Sequence, residues 1–473
     1  MKNKLLLLFT FGIITFLCLY KLGQQPLSQW DEARRAINAM EMIRTGDLVN
    51  LYYRGLPEVS NFKPPFVVWC EALSFRLFGV GECLLRLPSA LAMIVAFFVL
   101  FKIITLYRSP RFAAWTCLML ASVKGLIGWH VSRTGDTDSM LVLFLLLSVF
   151  FSLRVIDFGR RKSAYWAGLF IGLAFLTKGP AAWVLLPGLA LYALLTKKIQ
   201  LLIKQKETWM AIGLVVAFPV IWFLLKASLG AEPYPGHSKS FSFKRLFSKD
   251  IWERFSQTTG QEKMLFDPQF FFYSLDKMFN VWNYLFFIAL AFGLVFLFSS
   301  RSRFISFLIK DERQKLLMLS LCLYFPLALF LALAADSHSW YMAPVIPFAG
   351  IVTFWFIRHF WHRSKFVKYA FGGILAFTLG RQVALFSDTN PKPSFIVENA
   401  STFQNARTIY VDGEIELDVL AYLYFFEKDM QFDMVPCPLE QGSVIVQGKF
   451  SEAARLCNGI KLIADDGKYR LYK

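Results

Sequence analysis

Leu5-Leu6-Leu7-Leu8-Phe9-Thr10-Phe11-Gly12-Ile13-Ile14-Thr15-Phe16-Leu17-Cys18-Leu19-Tyr20, with Gln29-Trp30-Asp31-Glu32-Ala33-Arg34-Arg35 close behind it, is the stretch that decides the fold. The first part is an uncharged apolar run, and the second sets two carboxylates and two guanidiniums just beyond it. Met1-Lys2-Asn3-Lys4 precedes the run. Lys21-Leu22-Gly23-Gln24-Gln25-Pro26 follows it without the small-x-small signature of a cleaved leader. The run therefore reads as a retained first helix, and its two leading lysines hold the N-terminus in the cytoplasm.

The pattern recurs along the chain. With 473 residues, 56% of them hydrophobic, and a mean hydropathy of +0.47, the composition is that of a membrane protein. A spanning helix needs about 20 apolar residues. Eleven apolar windows fall near residues 5–20, 87–106, 112–128, 139–156, 164–177, 180–196, 208–226, 277–299, 315–334, 341–358 and 366–386. The predicted fold is a membrane all-α, polytopic bundle of about 11 and up to 13 transmembrane helices, with juxtamembrane helices on its outer face.

The gaps between windows sort by charge. Counting from an inside N-terminus, the inner gaps carry Arg108 and Arg111, then Arg160, Arg161 and Lys162, then Lys197, Lys198, Lys204 and Lys206. Arg301, Arg303, Lys310, Arg313 and Lys315 come next, and then Arg358, Arg363, Lys365 and Lys368. This is the positive-inside pattern, and it accounts for a net charge of +18 without nucleic acid as a partner. Lys124, inside the third window, is the exception. The outer gaps collect the residues able to do chemistry: Asp31, Glu32, Lys63, Asp136, Asp138, Lys178 and His338. Residues 1–386 are read as the bundle, with long outer loops at about 21–86 and 227–276.

Residues 387–473 read as a small α/β domain outside the membrane. Thr408–Val411 and Ser443–Val446 look like buried strands, Leu417–Phe426 like a helix, and Lys461–Ala464 with Tyr469–Tyr472 like a closing hairpin. None of the seven cysteines forms a C-x-x-C pair, which argues against a zinc or redox motif. Cys437 and Cys457 are either a disulfide or two free thiols.

Each outer residue has two readings. Asp31-Glu32 can cap a helix whose Ala33, Ala36, Ile37 and Met40 follow helical spacing on the membrane surface. Alternatively, the pair supplies a general base beside a bound anion. Lys63, stiffened by Pro64-Pro65, either snorkels or binds phosphate. One of Asp136 and Asp138 caps the following helix, and an Asp138–Lys178 ion pair would tie two helix ends together. His338 is an interface residue or a ligand. No His/Cys/Glu set has metal-ligand spacing, and there is no phosphate-binding glycine loop.

In order, Asp31-Glu32, Lys63-Pro64-Pro65, Arg86-Leu87-Pro88-Ser89-Ala90-Leu91, Thr177-Lys178-Gly179-Pro180, and Trp340-Tyr341 with Pro344 and Pro347 resemble the C-type (GT-C) membrane glycosyltransferases. The chain is similar to the bacterial lipid A aminoarabinose transferases and, more distantly, to the protein O-mannosyltransferases, over about residues 1–350. The resemblance implies a polyprenyl-phosphate sugar donor and an acceptor that is a glycolipid, glycan or protein. It also implies a bacterial inner membrane location with a periplasmic active site and C-terminus. It makes Asp31 the essential carboxylate, with Glu32 beside it. Lys63 becomes the donor-phosphate ligand, assisted by Arg34 and Lys178, and Asp136, Asp138, Arg86, His338 and Tyr341 support the cavity. The aminoarabinose enzymes place a metal-linked acidic residue just before the phosphate lysine. Phe62 stands there in this chain, so no cofactor is predicted and a divalent metal is not indicated. The alternatives are a transporter or flippase for a lipid-linked sugar, and a non-catalytic scaffold.

Overall fold

The computed structural model describes residues 2–58, 61, 63–230, 268–299, 311–333, 338–361, 363–388, 390–449 and 460–473. Phe62, Cys457, most of the 227–276 loop and the inner cations Arg301, Arg303 and Lys310 lie outside them. Helix dominates. The order is α1 (Lys2–Leu19), α2 (Asp31–Thr45), α3 (Phe66–Phe78), α4 (Glu82–Thr105), α5 (Pro110–Ala121), α6 (Asp138–Ile156) and α7 (Ser163–Lys178). Then come α8 (Leu186–Leu195), α9 (Ile199–Ile203), α10 (Lys206–Leu229), α11 (Pro268–Phe279), α12 (Trp282–Ser299), α13 (Glu312–Leu333), α14 (Ile346–Trp361) and α15 (Lys365–Ser387).

Every apolar window holds a helix, but the helices are not equally long. Among the described residues six of them (α4, α6, α10, α12, α13 and α15) are long and apolar enough to cross a membrane. Counting α7 and α8 as one span, bent by 70°, makes seven. The third window departs most from expectation, because α5 stops at Ala121. Ser122 turns the chain, its Oγ donating to Met119 O at 2.7 Å and accepting from Trp282 Nε1 at 2.9 Å. Residues 122–137 then run as irregular turns, with Val123, Leu126, Ile127 and Val131 buried. Buried irregular backbone is stable only where its polar groups find partners. Here Met278 O accepts from Gly125 N at 2.8 Å, and Gln382 Nε2 donates to Ile127 O at 3.0 Å. Lys124 therefore sits in this turn beyond the end of α5, outside any span.

After α2, β1 (Tyr52–Tyr53) and β2 (Leu56–Pro57) pair as a short antiparallel hairpin. The tail carries β3 (Thr408–Asp412), a helix Leu417–Tyr424, β4 (Asp429–Phe432), β5 (Val444–Gln447), β6 (Leu462–Asp465) and β7 (Arg470–Tyr472). The five strands lie in the order β4-β3-β5-β7-β6, parallel around β3 and antiparallel around β7. Sequence reading missed β4, where Asp429 and Gln431 interrupt an apolar pattern. Cys437 is disulfide-bonded.

One apolar core joins this tail to α2 and α3. Ala33, Ala36 and Ile37 on α2 are buried against α3 and helix Leu417–Tyr424. The apolar face expected to lie on the membrane surface is covered by protein instead. Polar locks fix the seam: Leu27 N donates to Tyr422 Oη at 3.0 Å, and Tyr424 Oη donates to Glu41 Oε1 at 2.5 Å. If the tail is what holds α2 in place, a change in the tail must loosen α2. Leu420→Ala, which deletes a fully buried side chain at a cost of about 2–5 kcal/mol, is expected to raise amide exchange across Asp31–Thr45. Unchanged exchange there would mean that the two pack independently.

Candidate active site

The site is assembled at one end of the bundle from the start of α2, the 122–137 turns, the start of α6, the end of α7 and the short helical turn Ser339–Met342. Its foundation is Glu32. This carboxylate is 1% exposed and takes Arg86 Nε on Oε1 at 2.6 Å and Nη2 on Oε2 at 2.9 Å. Ser28 N adds 2.8 Å to Oε2, and Gly135 N adds 3.0 Å to Oε1. Arg86 spends its remaining donors on Leu22 O, Gln25 O and Pro26 O. Both partners of this buried ion pair are fully satisfied, the condition under which such a pair is tolerated. Glu32, expected beside Asp31 as catalytic, is therefore occupied by the scaffold.

Asp31, the preceding residue, is exposed at the first position of α2. Trp30 leads into it with φ +72° and is 75% exposed. A non-glycine residue held there stores on the order of 1–3 kcal/mol of strain, which collects at functional sites. Asp31 meets His130 and Asp136: one ligand atom from each lies within 4.8 Å of the others. His130 also has positive φ, +61°. Its ring stacks on Trp340 with centroids 3.9 Å apart, and Trp340 stacks on His338 at 4.4 Å.

Arg35 closes the cluster from below, with Nη2 at 2.6 Å from Asp136 Oδ1 and Nε donating to Gly135 O at 2.7 Å. Burial would lower its pKa, but Asp136, Glu71, Asp31 and Asp138 raise it and keep it charged. Burial would likewise raise the Asp136 carboxyl. Arg35, His130 and Lys178 more than offset this and bring it down to about 2. Lys178 Nζ sits 2.7 Å from Asp138 Oδ1 and 2.8 Å from Oδ2, with the Tyr341 ring centroid at 4.8 Å. That is the helix-end pair expected from the sequence, and it engages the charge expected for donor phosphate.

Two other expected cations stand apart. Arg34 Nε binds Glu58 Oε1 at 2.7 Å, and its guanidinium lies 3.7 Å from the Tyr53 ring centroid. It is thus committed to the hairpin Tyr52–Pro57 and its flank. Lys63 is exposed, and its backbone N–H donates to Asn61 Oδ1 at 3.3 Å. Among the described residues no hydrogen bond or ion pair ties its ammonium to the Asp31 cluster.

Sequence reading passed over His130 and Glu71, and it gave the donor phosphate to Arg34 rather than to its neighbour Arg35. Both arginines lie near the Asp31 face by helix phase, about 60° away for Arg34 and about 40° for Arg35, and tertiary partners separate them: Glu58 takes Arg34 and Asp136 takes Arg35. His130 had no sequence signal, because the non-helical turns that aim it are set by tertiary packing. The absence of ligand spacing in the sequence also missed that the fold brings Asp31, His130 and Asp136 together. Their ligand atoms are close enough to take a divalent cation between them. Asp136 Oδ1 already accepts from Arg35 and from Thr137 N, and its Oδ2 lies 3.3 Å from His130 Nδ1, so neither carboxylate oxygen is uncommitted.

Residues 62–223 match the family model described as dolichyl-phosphate-mannose-protein mannosyltransferase. A putative mannosyltransferase, YycA, of Bacillus subtilis is 31% identical over 53% of this chain and 37% of its own length. An undecaprenyl phosphate-alpha-4-amino-4-deoxy-L-arabinose arabinosyl transferase of Aeromonas hydrophila is 31% identical over 35% of this chain and 30% of its own. Both alignments thus span well under half of the relative. The structure superposes on ArnT from Cupriavidus metallidurans, solved with undecaprenyl phosphate, with a TM-score of 0.69 at 16% identity. That superposition covers 98% of this chain and 97% of ArnT. The fold is therefore that of ArnT, and the chain is a multi-pass membrane protein similar to GT-C glycosyltransferases of the ArnT and protein mannosyltransferase kind.

Glu71, buried on α3, gives the site a testable pH signature. Among the described residues neither of its carboxylate oxygens has a hydrogen-bond partner, and a Cβ on Gly135 would come within 3.0 Å of Oε1. Burial raises its pKa well above the usual carboxylate value, against the opposing pull of Arg35. Neutral Glu71 then stabilises the fold fully below its unfolded pKa, and that contribution is lost as pH rises through the folded value. Glu71→Gln, which cannot ionise, is expected to gain steadily on the wild type in melting temperature from about pH 5 upward. Parallel pH profiles would show that Glu71 is charged in the fold.

Proposed function

We propose that the chain is an inverting glycosyltransferase that moves a hexosyl or pentosyl group from a polyprenyl-phosphate donor to an acceptor hydroxyl or phosphate. The acceptor is lipid A, an envelope glycan or a protein. Transfer takes place on the outer face of the inner membrane, where the positive-inside pattern puts this end of the bundle. The observation that carries the reading is an exposed carboxylate, Asp31, projecting from a buried ion-pair scaffold into a polar cluster at the end of an ArnT-like bundle.

With a hydroxyl acceptor, Asp31 takes the proton as the oxygen attacks the anomeric carbon. The new carbon–oxygen bond forms opposite the carbon–oxygen bond to the lipid phosphate, which breaks and leaves the electron pair on that phosphate. Attack from the opposite side inverts the anomeric centre. Lys63, with its ammonium uncommitted to any carboxylate among the described residues, supports the leaving charge. Arg34 and Lys178 hold Glu58 and Asp138 in place, and so shape the pocket more than they contact the donor.

In proteoliposomes loaded with radiolabelled lipid-linked sugar, Asp31→Asn is expected to lower transfer by roughly 10²–10⁴-fold, the usual worth of a general base. Lys63→Ala should lower it by roughly ten- to a hundredfold. Full activity in Asp31→Asn would remove the base from the account. Transfer should also persist after exhaustive chelation. Loss of transfer on chelation, with rescue by manganese, would reassign Asp31, His130 and Asp136 as metal ligands.

A further inference from the structure

The same end of the bundle carries a second charged cluster, made only of cations. Gly125 N–H donates to Met278 O at 2.8 Å, which sets Lys124 beside Lys277. A Cβ at Gly125 would stand 2.2 Å from Ile346 Cδ1 and 2.8 Å from Met278 O, so the approach needs glycine. Gln382 Nε2 donates to Ile127 O at 3.0 Å, which brings its neighbour Arg381, near the end of α15, to the same turn. Lys124 is half-buried, while Lys277 and Arg381 are exposed. Burial lowers the Lys124 pKa, and the charges of Lys277 and Arg381 lower it further.

Among the described residues none of the three forms an ion pair, and Asp276, adjacent to Lys277, is exposed and forms none either. Like charges gathered beside an apolar bundle are unfavourable unless a counter-charge joins them. The surroundings indicate what carries that charge. Phe377, Arg381 and Leu385 follow one face of α15 at four-residue spacing, and both apolar side chains are exposed, at 69% and 50%. Tyr273, one turn before Lys277, is 59% exposed, with its ring centroid 5.7 Å from Lys277 Nζ. Cations above bare apolar stripes match a lipid, with its head on the charges and its chains along the helices.

We propose that Lys124, Lys277 and Arg381 form a binding site for the phosphate of a membrane lipid, distinct from the site around Asp31. The two are neighbours, because α11 packs on the turn Ser339–Met342 that carries Trp340 and Tyr341. The proposal does not rest on the transfer reaction, so binding alone tests it.

The full chain in detergent micelles is titrated with dioctanoyl phosphatidic acid, dioctanoylglycerol and inorganic phosphate, and binding is read by native mass spectrometry. Phosphatidic acid should bind best. The exposed-position variant Lys277→Gln/Arg381→Gln should weaken it at least about tenfold while leaving the melting temperature unchanged. Lys124→Ala should weaken it in the same direction. Equal binding of inorganic phosphate would make this a free-anion site and overturn the lipid. Equal binding of dioctanoylglycerol, or undiminished phosphatidic acid binding in the double variant, would overturn the phosphate site.

Discussion

Everything at the active end of this molecule hangs from the buried pair between Glu32 and Arg86. Charges removed from water are expensive unless every donor and acceptor is answered, and breaking such a pair by removing one partner costs about 3–5 kcal/mol. Here each donor is answered. Arg86 gathers the loop after α1 through Leu22, Gln25 and Pro26, while Glu32 fastens the N-terminus of α2 and the backbone of Gly135. One interaction therefore ties the first helix, α2, α4 and the turn before α6 to a single point. Asp31, one residue away, is turned outward because its neighbour is turned inward.

That arrangement places strain where chemistry needs aim. Trp30 and His130 both hold positive φ without being glycine, and each is next to or part of the three-residue cluster. Gly135 is required for a different reason: a Cβ there would press within 2.8 Å of Leu85 and 3.0 Å of Glu71. The tail contributes from the other side, burying the apolar face of α2 that a membrane surface was expected to cover. Its small sheet is thus part of what fixes the angle at which Asp31 is presented.

The sequence made the bundle legible because apolar windows and basic gaps are properties of contiguous residues. Helix ends were less legible. α5 stops early because Ser122 and Gly125 bond to residues far along the chain, and no local pattern announces that. Asp31, Asp136, the Asp138–Lys178 pair and the Trp340-Tyr341 turn could be singled out, since reactive side chains on one side of a membrane are few. Their company could not. Arg35 faces the cluster because Asp136 holds it while Glu58 draws Arg34 aside, Glu32 is drawn under by an arginine 54 residues later, and His130 enters through irregular backbone. Lys63 is prominent in the sequence, yet no described contact joins it to that cluster.

Trapping the cluster by its own proximity tests the central claim most directly. With Asp31→Cys and His130→Cys introduced together, a short bifunctional thiol reagent that reaches further than a disulfide should cross-link the two within the intact chain. Adding Arg86→Met should suppress the cross-link by releasing Glu32 and the start of α2. A cross-link that never forms would contradict the convergence of Asp31 and His130. One that forms equally well without Arg86 would contradict the role assigned to the buried pair.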